Sequence, residues 1–355
     1  MPIGIFMIKV AIVSGPLYRS PRVLAECLHL LIKTTDVSSE IFYRINAIKR
    51  LLSHKEVKNR YKLHHWLGYK LLHILEDHMF LKKLKGFDAI IICDCIPSAF
   101  LNDYFGIERL RKITGNIPIL FYEVFYLGNA PTQMAKLKCL NAMTVERYDW
   151  HLSVSEVTEI RQKPATPWSQ VGIYLKSTGL KPEAKKNILA IVDFLQPGFQ
   201  DIRNKQIQVL NELNIPYVSL EKSYTISEIR SIYMASTFYF MQSSESFGLP
   251  IAECLCCGSI VFSPDSSWPM SWRLDENPQV HGPGNLPECF IIYNGMEEMK
   301  IKLQNIISNY DLDNTPQKIF DIFYDHYPTF YDGNLKAVEE VFNKIKKKEL
   351  IKHDR

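Results

Sequence analysis

The sequence predicts an α/β protein built from doubly wound parallel sheets and divided into two domains. Three observations carry this. Short β-branched, apolar runs alternate with longer stretches whose apolar residues recur at helical spacing. The alternation breaks once, between Arg161 and Glu183, and then resumes. The 355 residues also exceed one core of ordinary size, since domains hold roughly 100–200 residues.

The elements follow in order. Residues 8–13 read as a first strand, closed by Ser14-Gly15-Pro16. Ser20 is placed to cap a helix with Pro21 at its first position, and Val23, Leu24, Cys27, Leu28, Leu30 and Leu31 form its stripe. A second strand over 40–45 precedes a long helical region, 55–85, expected to break near Gly68. Then come strand 88–93, helix 107–113, strand 117–122, a helical stretch at 132–142 and strand 150–154. Between 161 and 183 the stretches 162–168 and 176–179, with Pro164, Pro167 and Gly179, read as a linker. Beyond it lie strand 188–192, helix 201–213 and strand 216–220. Thr225-Ile226-Ser227-Glu228 has capping-box spacing before a helix to Ala235. Strand 237–241, helix 250–257 and strand 260–263 follow, and the tail holds helices at 297–308, 316–324 and 335–350. Ligands of such sheets bind outside the carboxyl ends of the strands.

Composition narrows the class. With 46% apolar and 23% charged residues, the chain is neither disordered, collagenous nor a disulfide scaffold. No run reaches the ~18 apolar residues of a membrane span. The apolar start lacks a basic flank and a cleavage site and carries Lys9, so a core strand is expected rather than a secretory leader. The eight cysteines show no paired C-x-x-C ladder, which predicts buried free thiols in a reducing cytoplasm.

The net charge of +4 is concentrated: Arg44 to Lys85 holds eleven Lys/Arg against three acids. That suits an anionic surface or substrate, but it is too small a field for diffuse nucleic-acid binding. Within it Leu63, Trp66, Leu67, Leu71, Ile74, Leu75, Met79 and Phe80 keep helical spacing. This stripe either packs on its own sheet or rests on anionic lipid, where it would also meet a lipid-diphosphate acceptor. The basic tail from Lys344 to Lys352 would assist.

The chemistry concentrates after the strand at 237–241. A loop presents Glu245, Gly248 permits close backbone approach, and Pro250 opens a helix whose free N–H groups suit a diphosphate. Glu253 follows eight positions after Glu245. Two carboxylates would repel each other and a phosphate, so they suit hydroxyl groups on either side of it. A plainer alternative has Glu253 complementing the helix dipole while Gly248 shapes a turn.

The run E-S-F-G-L-P-I-A-E-C-L-C-C-G-S-I-V, residues 245–261, resembles the E-x7-E region of family-4 retaining glycosyltransferases. That region is written E-(G/S)-F-G-L-P-x-x-E-A-x-A-x-G-x-P-V. Ser20-Pro21-Arg22-Val23 and Leu152-Ser153-Val154-Ser155-Glu156 resemble other passages of the family in the right order. The resemblance implies a GT-B fold, two Rossmann-like domains facing across a cleft. Residues 1–172 would form the acceptor side and 173–332 the donor side, with a helix over 333–352 crossing back. It implies a catalytic Glu245 on the donor sugar, Ser246, Phe247, Gly248 and Leu249 on sugar and diphosphate, and Glu253 on the ribose. It implies hexose transfer, with retention and without metal or other cofactor, from a nucleotide-sugar donor, UDP-sugars being commonest. The acceptor would be a hydroxyl of a growing glycan, polysaccharide or lipid-linked sugar, met at the inner face of the membrane.

The sequence departs from the family after residue 192, where Asp193-Phe194-Leu195-Gln196-Pro197-Gly198 lacks the expected arginine. Arg203 and Lys205 are the cations nearest in sequence to serve the phosphates, or else they belong to a solvated helix face. Gly15 stands where the family has a glycine pair. Asp94 and Glu123 end candidate strands as acceptor-side candidates or loop caps. Asp311–Asp313 reads as a turn and helix cap rather than a metal motif. Trp268 and Trp272 either stack on a sugar or pack locally. The departures leave two rivals: a non-catalytic scaffold that binds a nucleotide or partner protein, and a nucleotide-sugar epimerase or hydrolase.

Overall fold

A computed structural model describes residues 7–14, 19–43, 63–93, 107–115, 117–125, 148–155, 167–245, 247–275 and 281–350. Contacts divide the chain into two units. The first is organised by a sheet of β1 (Lys9–Ser14), β2 (Ser38–Tyr43), β3 (Ala89–Cys93), β4 (Ile119–Phe125), β5 (Trp150–Ser155) and β6 (Trp168–Gln170). Its order is β2-β1-β3-β4-β5-β6, and the described pairings are parallel, with Ile12 opposite Ile41 and Ile91. All five residues of β3 are buried, which explains why its text is continuously apolar rather than alternating.

Helix α1 (Arg19–Ile32) lays Val23, Leu24, Cys27 and Leu28 against β1, β2 and β3. Leu81 of α2 (Leu63–Lys83) and Leu110 of α3 (Ile107–Thr114) join Ala11, Val13, Ile90, Ile92 and Phe121 in one apolar cluster. Ser20 lies inside α1 rather than capping it. Gly68 does not break α2, because one glycine costs a helix only about 1 kcal/mol. The stretches at 55–62 and 132–142 lie outside the described residues.

The text from 161 to 183 is not all linker. Trp168–Gln170 pairs in parallel with β5, and the Trp168 indole donates to Ser153 Oγ at 2.8 Å. An edge strand needs a ladder on one side only, so so short a run leaves little trace in sequence.

The second unit holds β7 (Ala190–Val192), β8 (Tyr217–Ser219), β9 (Phe238–Phe240), β10 (Ile260–Ser263) and, past a β11/β12 ribbon (Ser267–Pro269, His281–Pro283), β13 (Phe290–Ile292). Its order is β13-β10-β9-β7-β8, and every pairing is parallel. Its helices are α4 (Gln200–Glu212), α5 (Ile226–Ala235), α6 (Leu249–Cys256), α7 (Gly295–Ser308) and α8 (Thr315–His326). The last helix, α9 (Leu335–Lys346), packs on α1 and β6 of the first unit and pairs Lys346 with Asp36 at 2.7 Å.

Local chemistry accounts for the ends of these helices. Thr225 and Glu228 form the expected capping box on α5. Asp311 Oδ1 accepts the amides of Asp313 and Asn314 ahead of α8, so the acidic pair is a turn. After α6, Gly258 turns left-handed at φ +77°, and a Cβ there would strike the Pro316 backbone of α8. Trp268 and Trp272 are fully buried; the Trp272 ring stacks parallel to Phe247 and its indole donates to the Phe247 carbonyl. Both are local packing. Cys27, Cys93, Cys254, Cys256, Cys257 and Cys289 are buried as expected, while Cys95 and Cys139 lie outside the described residues.

Lys185 was not anticipated. Its buried ammonium donates to Met234 O and Cys257 O, both at 2.7 Å, and so closes the carboxyl ends of α5 and α6 together. A cation there complements both helix dipoles. Lys185→Met should leave both carbonyls unpaired and lower stability by about 2–4 kcal/mol in urea unfolding. An unchanged midpoint would rule out this clamp.

Candidate functional site

In the second sheet the chain leaves β7 toward β8 on one side and returns to its other side as β9. The loops after β7 and β9 therefore diverge at a topological switch point, where such sheets open to ligands. Side chains of these loops bind one another. Gln196 Nε2 donates to Glu245 Oε1 at 3.1 Å, and Ser243 Oγ donates to Gln196 Oε1 at 2.8 Å. Gln242 accepts from the Gln196 amide at 3.3 Å and donates to Asp193 O at 3.3 Å. Ser244 Oγ donates to Asp265 Oδ2, beyond the end of β10.

Gly248 caps α6 with φ +63°, a conformation that favours glycine. A Cβ there would fall 2.8 Å from Glu245 Oε2 and 2.5 Å from Ile251 Cδ1. Glycine thus makes room for the carboxylate as well as for the turn. Pro250, second in the helix, has no N–H, and Ile251 and Ala252 direct theirs back to Gly248 O. Glu253 is the fifth helical residue and buried, so it does not sit in the first turn as a dipole partner. Arg230 Nε of α5 approaches its Oε1 at 3.4 Å.

Burial raises Glu245 to about 7, helped by nearby Asp193 and opposed by the Gln196 amide. Burial raises Glu253 also to about 7, against the pull of Arg230. Asp193 is pushed by burial to about 6, opposed by the Phe194 amide, the Tyr239 hydroxyl and Arg203. Asp193 and Glu245 thus sit near each other where β7 and β9 end, and Glu253 on α6 is a third carboxyl near neutrality. Their oxygens are acceptors for hydroxyl groups when ionised and donors when protonated.

The sequence-derived candidates are distributed as follows. Glu245, Phe247, Gly248, Leu249 and Glu253 share one loop and helix, and Ser246 lies outside the described residues. Arg203 is buried rather than on a solvated face. Its guanidinium donates to Asp193 O, Ser219 Oγ and Leu220 O, bracketing the ends of β7 and β8. Lys205, two residues on, is exposed on the other side of α4. Glu123 belongs to β4 in the first unit, buried, with His151 Nδ1 at 3.0 Å from its Oε1. Gly15 and Asp94 lie outside the described residues. Asp193, Gln196, Gln242 and Arg230 were missed; the switch-point position of the loop after β7 is the signal that would have found the first two.

A raised carboxyl holds a proton in the folded chain that the unfolded chain releases between about pH 4.5 and 7. The stability gained from that proton is complete below about pH 4.5 and is lost as pH rises through 7. Glu245→Gln should therefore match the wild type near pH 4.5 and exceed its stability near pH 8 by on the order of 3 kcal/mol in urea unfolding. A difference that does not change with pH would contradict the burial of this carboxyl.

No protein-family profile matches the chain, and no curated protein sequence matches it. Among solved structures it is similar to the catalytic domain of starch synthase IV from Arabidopsis thaliana bound to ADP and acarbose. The TM-score is 0.52 at 10% identity, covering 98% of this chain and 100% of that one. The glycosyltransferase VinC in complex with DTDP gives 0.48 at 9% identity, covering 96% and 100%. The spinosyn rhamnosyltransferase SpnG gives 0.43 at 8%, covering 95% and 100%. The starch synthase likeness shows the fold: the chain has the GT-B fold expected from its sequence, with two Rossmann-like parallel-sheet units.

Proposed function

We propose that the chain is a glycosyltransferase, moving a hexose from a nucleotide-sugar donor to a hydroxyl acceptor with retention and without a metal. The observation that carries this is the placement of Glu245 and Glu253 about the start of α6 at the switch point of the second sheet. In this reading Glu245 accepts hydrogen bonds from the sugar hydroxyls, and Glu253, steadied by Arg230, accepts them from the ribose. The amides of Phe247, Gly248 and Leu249 meet the sugar and diphosphate at the helix N-terminus. Nucleotide binding finds support in the starch synthase structure, which holds ADP; a UDP-sugar is proposed on the commonness of such donors in the resembling family.

The sugar–phosphate C–O bond breaks and its electron pair leaves with the nucleoside diphosphate. The acceptor oxygen bonds the freed carbon, and its proton passes to the departing diphosphate. The chain contributes orientation and stabilisation of that departure, which are large terms when the geometry is pre-formed.

The inward turn of Arg203 favours a second reading, a scaffold that binds nucleotide without turnover, because that guanidinium is already occupied. Release of nucleoside diphosphate from UDP- or GDP-sugars separates the two, since a scaffold releases none. Product sugar and anomer, read by NMR, distinguish transfer from epimerisation or hydrolysis.

Glu245→Ala and Glu253→Ala should each abolish transfer while the circular dichroism spectrum stays native; wild-type rates in both would refute the site. Loss of the ribose contacts should weaken UDP binding in Glu253→Ala by on the order of tenfold to a hundredfold. Wild-type affinity should rise from about pH 6 to pH 8 as Glu253 ionises, whereas that of Glu253→Gln should stay flat. Calorimetric titration at the two pH values checks the sign.

A further inference from the structure

Helix α2 is apolar on two opposite faces. At about 100° per residue, Asp77, Phe80 and Leu81 fall on one side; Asp77 and Leu81 are buried, and Phe80 and Leu81 pack in the apolar cluster of the first sheet. Leu71, Leu72, Leu75 and Met79 fall within an arc of about 100° on the other side. That second face is bare. The four side chains are 62%, 49%, 54% and 65% exposed. The other exposed large hydrophobics among the described residues, Met7, Leu195, Leu274, Ile301, Tyr324 and Leu335, are scattered singly along the chain. A scattered exposed leucine needs no explanation, whereas four on one helical face do.

Charge indicates what covers the face. Lys82 and Lys83, both exposed, fall within about 20° of the same arc, and exposed Lys85 follows one turn on. They belong to the segment with eleven Lys/Arg against three acids, one of which, Asp77, is buried on the inner side. Among the described residues no helix is long and apolar enough to cross a membrane. A helix with bare leucines beside lysine heads, too polar to span, is matched by an interface with anionic headgroups above hydrocarbon.

We propose that the outer face of α2 docks the protein on an anionic lipid surface, with Leu71, Leu75 and Met79 entering the headgroup boundary and Lys82 and Lys83 meeting lipid phosphates. Docking does not rest on the glycosyltransferase reading.

The test is co-sedimentation of the full chain with phosphatidylcholine vesicles that contain or lack phosphatidylglycerol, alongside sedimentation velocity without lipid. Wild type should partition to the anionic vesicles and release as salt rises. Leu75→Gln/Met79→Gln should lose about tenfold or more in partitioning at an unchanged melting temperature, since both positions are exposed. Lys82→Glu/Lys83→Glu should lose about tenfold or more as well and should abolish the preference for anionic vesicles. Absence of wild-type binding at low salt, equal binding to neutral vesicles, or undiminished binding by the leucine–methionine variant would overturn the proposal. A wild-type dimer that Leu75→Gln/Met79→Gln dissociates would overturn it too, by assigning the face to a second copy of the chain.

Discussion

Parallel strands cannot be joined by tight turns; each connection must cross back over a face of the sheet before the next strand begins. This constraint gathers every carboxyl end of the second sheet on one side. Where β8 and β9 flank β7, it forces two loops apart. The rest of the site depends on that divergence. Gln196 and Glu245 come from segments 49 positions apart and meet only because both loops leave the same corner. Helix α6 starts from this corner at a left-handed residue where a Cβ would strike Ile251 and Glu245, and Gly248 fills that need.

The charges are distributed unequally around the corner. Two buried cations of the second unit, Lys185 and Arg203, serve carbonyls. Lys185 closes two helices, and Arg203 ties the loops after β7 and β8. The carboxylates receive mostly neutral partners, such as the Gln196 amide and the Tyr239 hydroxyl, with Arg230 beside Glu253 at the long distance of 3.4 Å. Desolvation without a strong counter-charge is what lifts them toward neutrality. Groups so placed keep unspent hydrogen-bonding capacity, whereas carboxylates locked in ion pairs have already used theirs.

Much of the architecture was legible in the sequence because it rests on local patterns. The apolar run of β3, the Thr225–Glu228 box and the Asp311 turn each announce themselves within a few residues. The departures come from long-range partners. β6 exists because β5 offers it a backbone ladder, and α2 passes through Gly68 because a single glycine costs a helix too little to end it. At the site, Glu245, Gly248 and Glu253 were visible together because they lie on one short stretch of chain. Asp193, Gln196 and Arg230 were not, since their meaning comes from strand order, which no local spacing encodes. The inward turn of Arg203 was equally hidden; a helical arginine looks the same in text whether it faces water or a ring of carbonyls.

One feature of α6 reaches beyond chemistry at its N-terminus. The helix that carries Glu253 also carries the thiols of Cys254 and Cys256, and Cys257 directly follows. Burial holds Cys254 well above the ordinary thiol range and pushes Cys257 up to about 12, so they are inert while the helix is seated. A thiol reagent can reach them only when α6 lifts away from α5 and α8. The pace of their alkylation in the native protein is thus a clock for the breathing of the site helix, and a bound ligand that pins the helix would slow it.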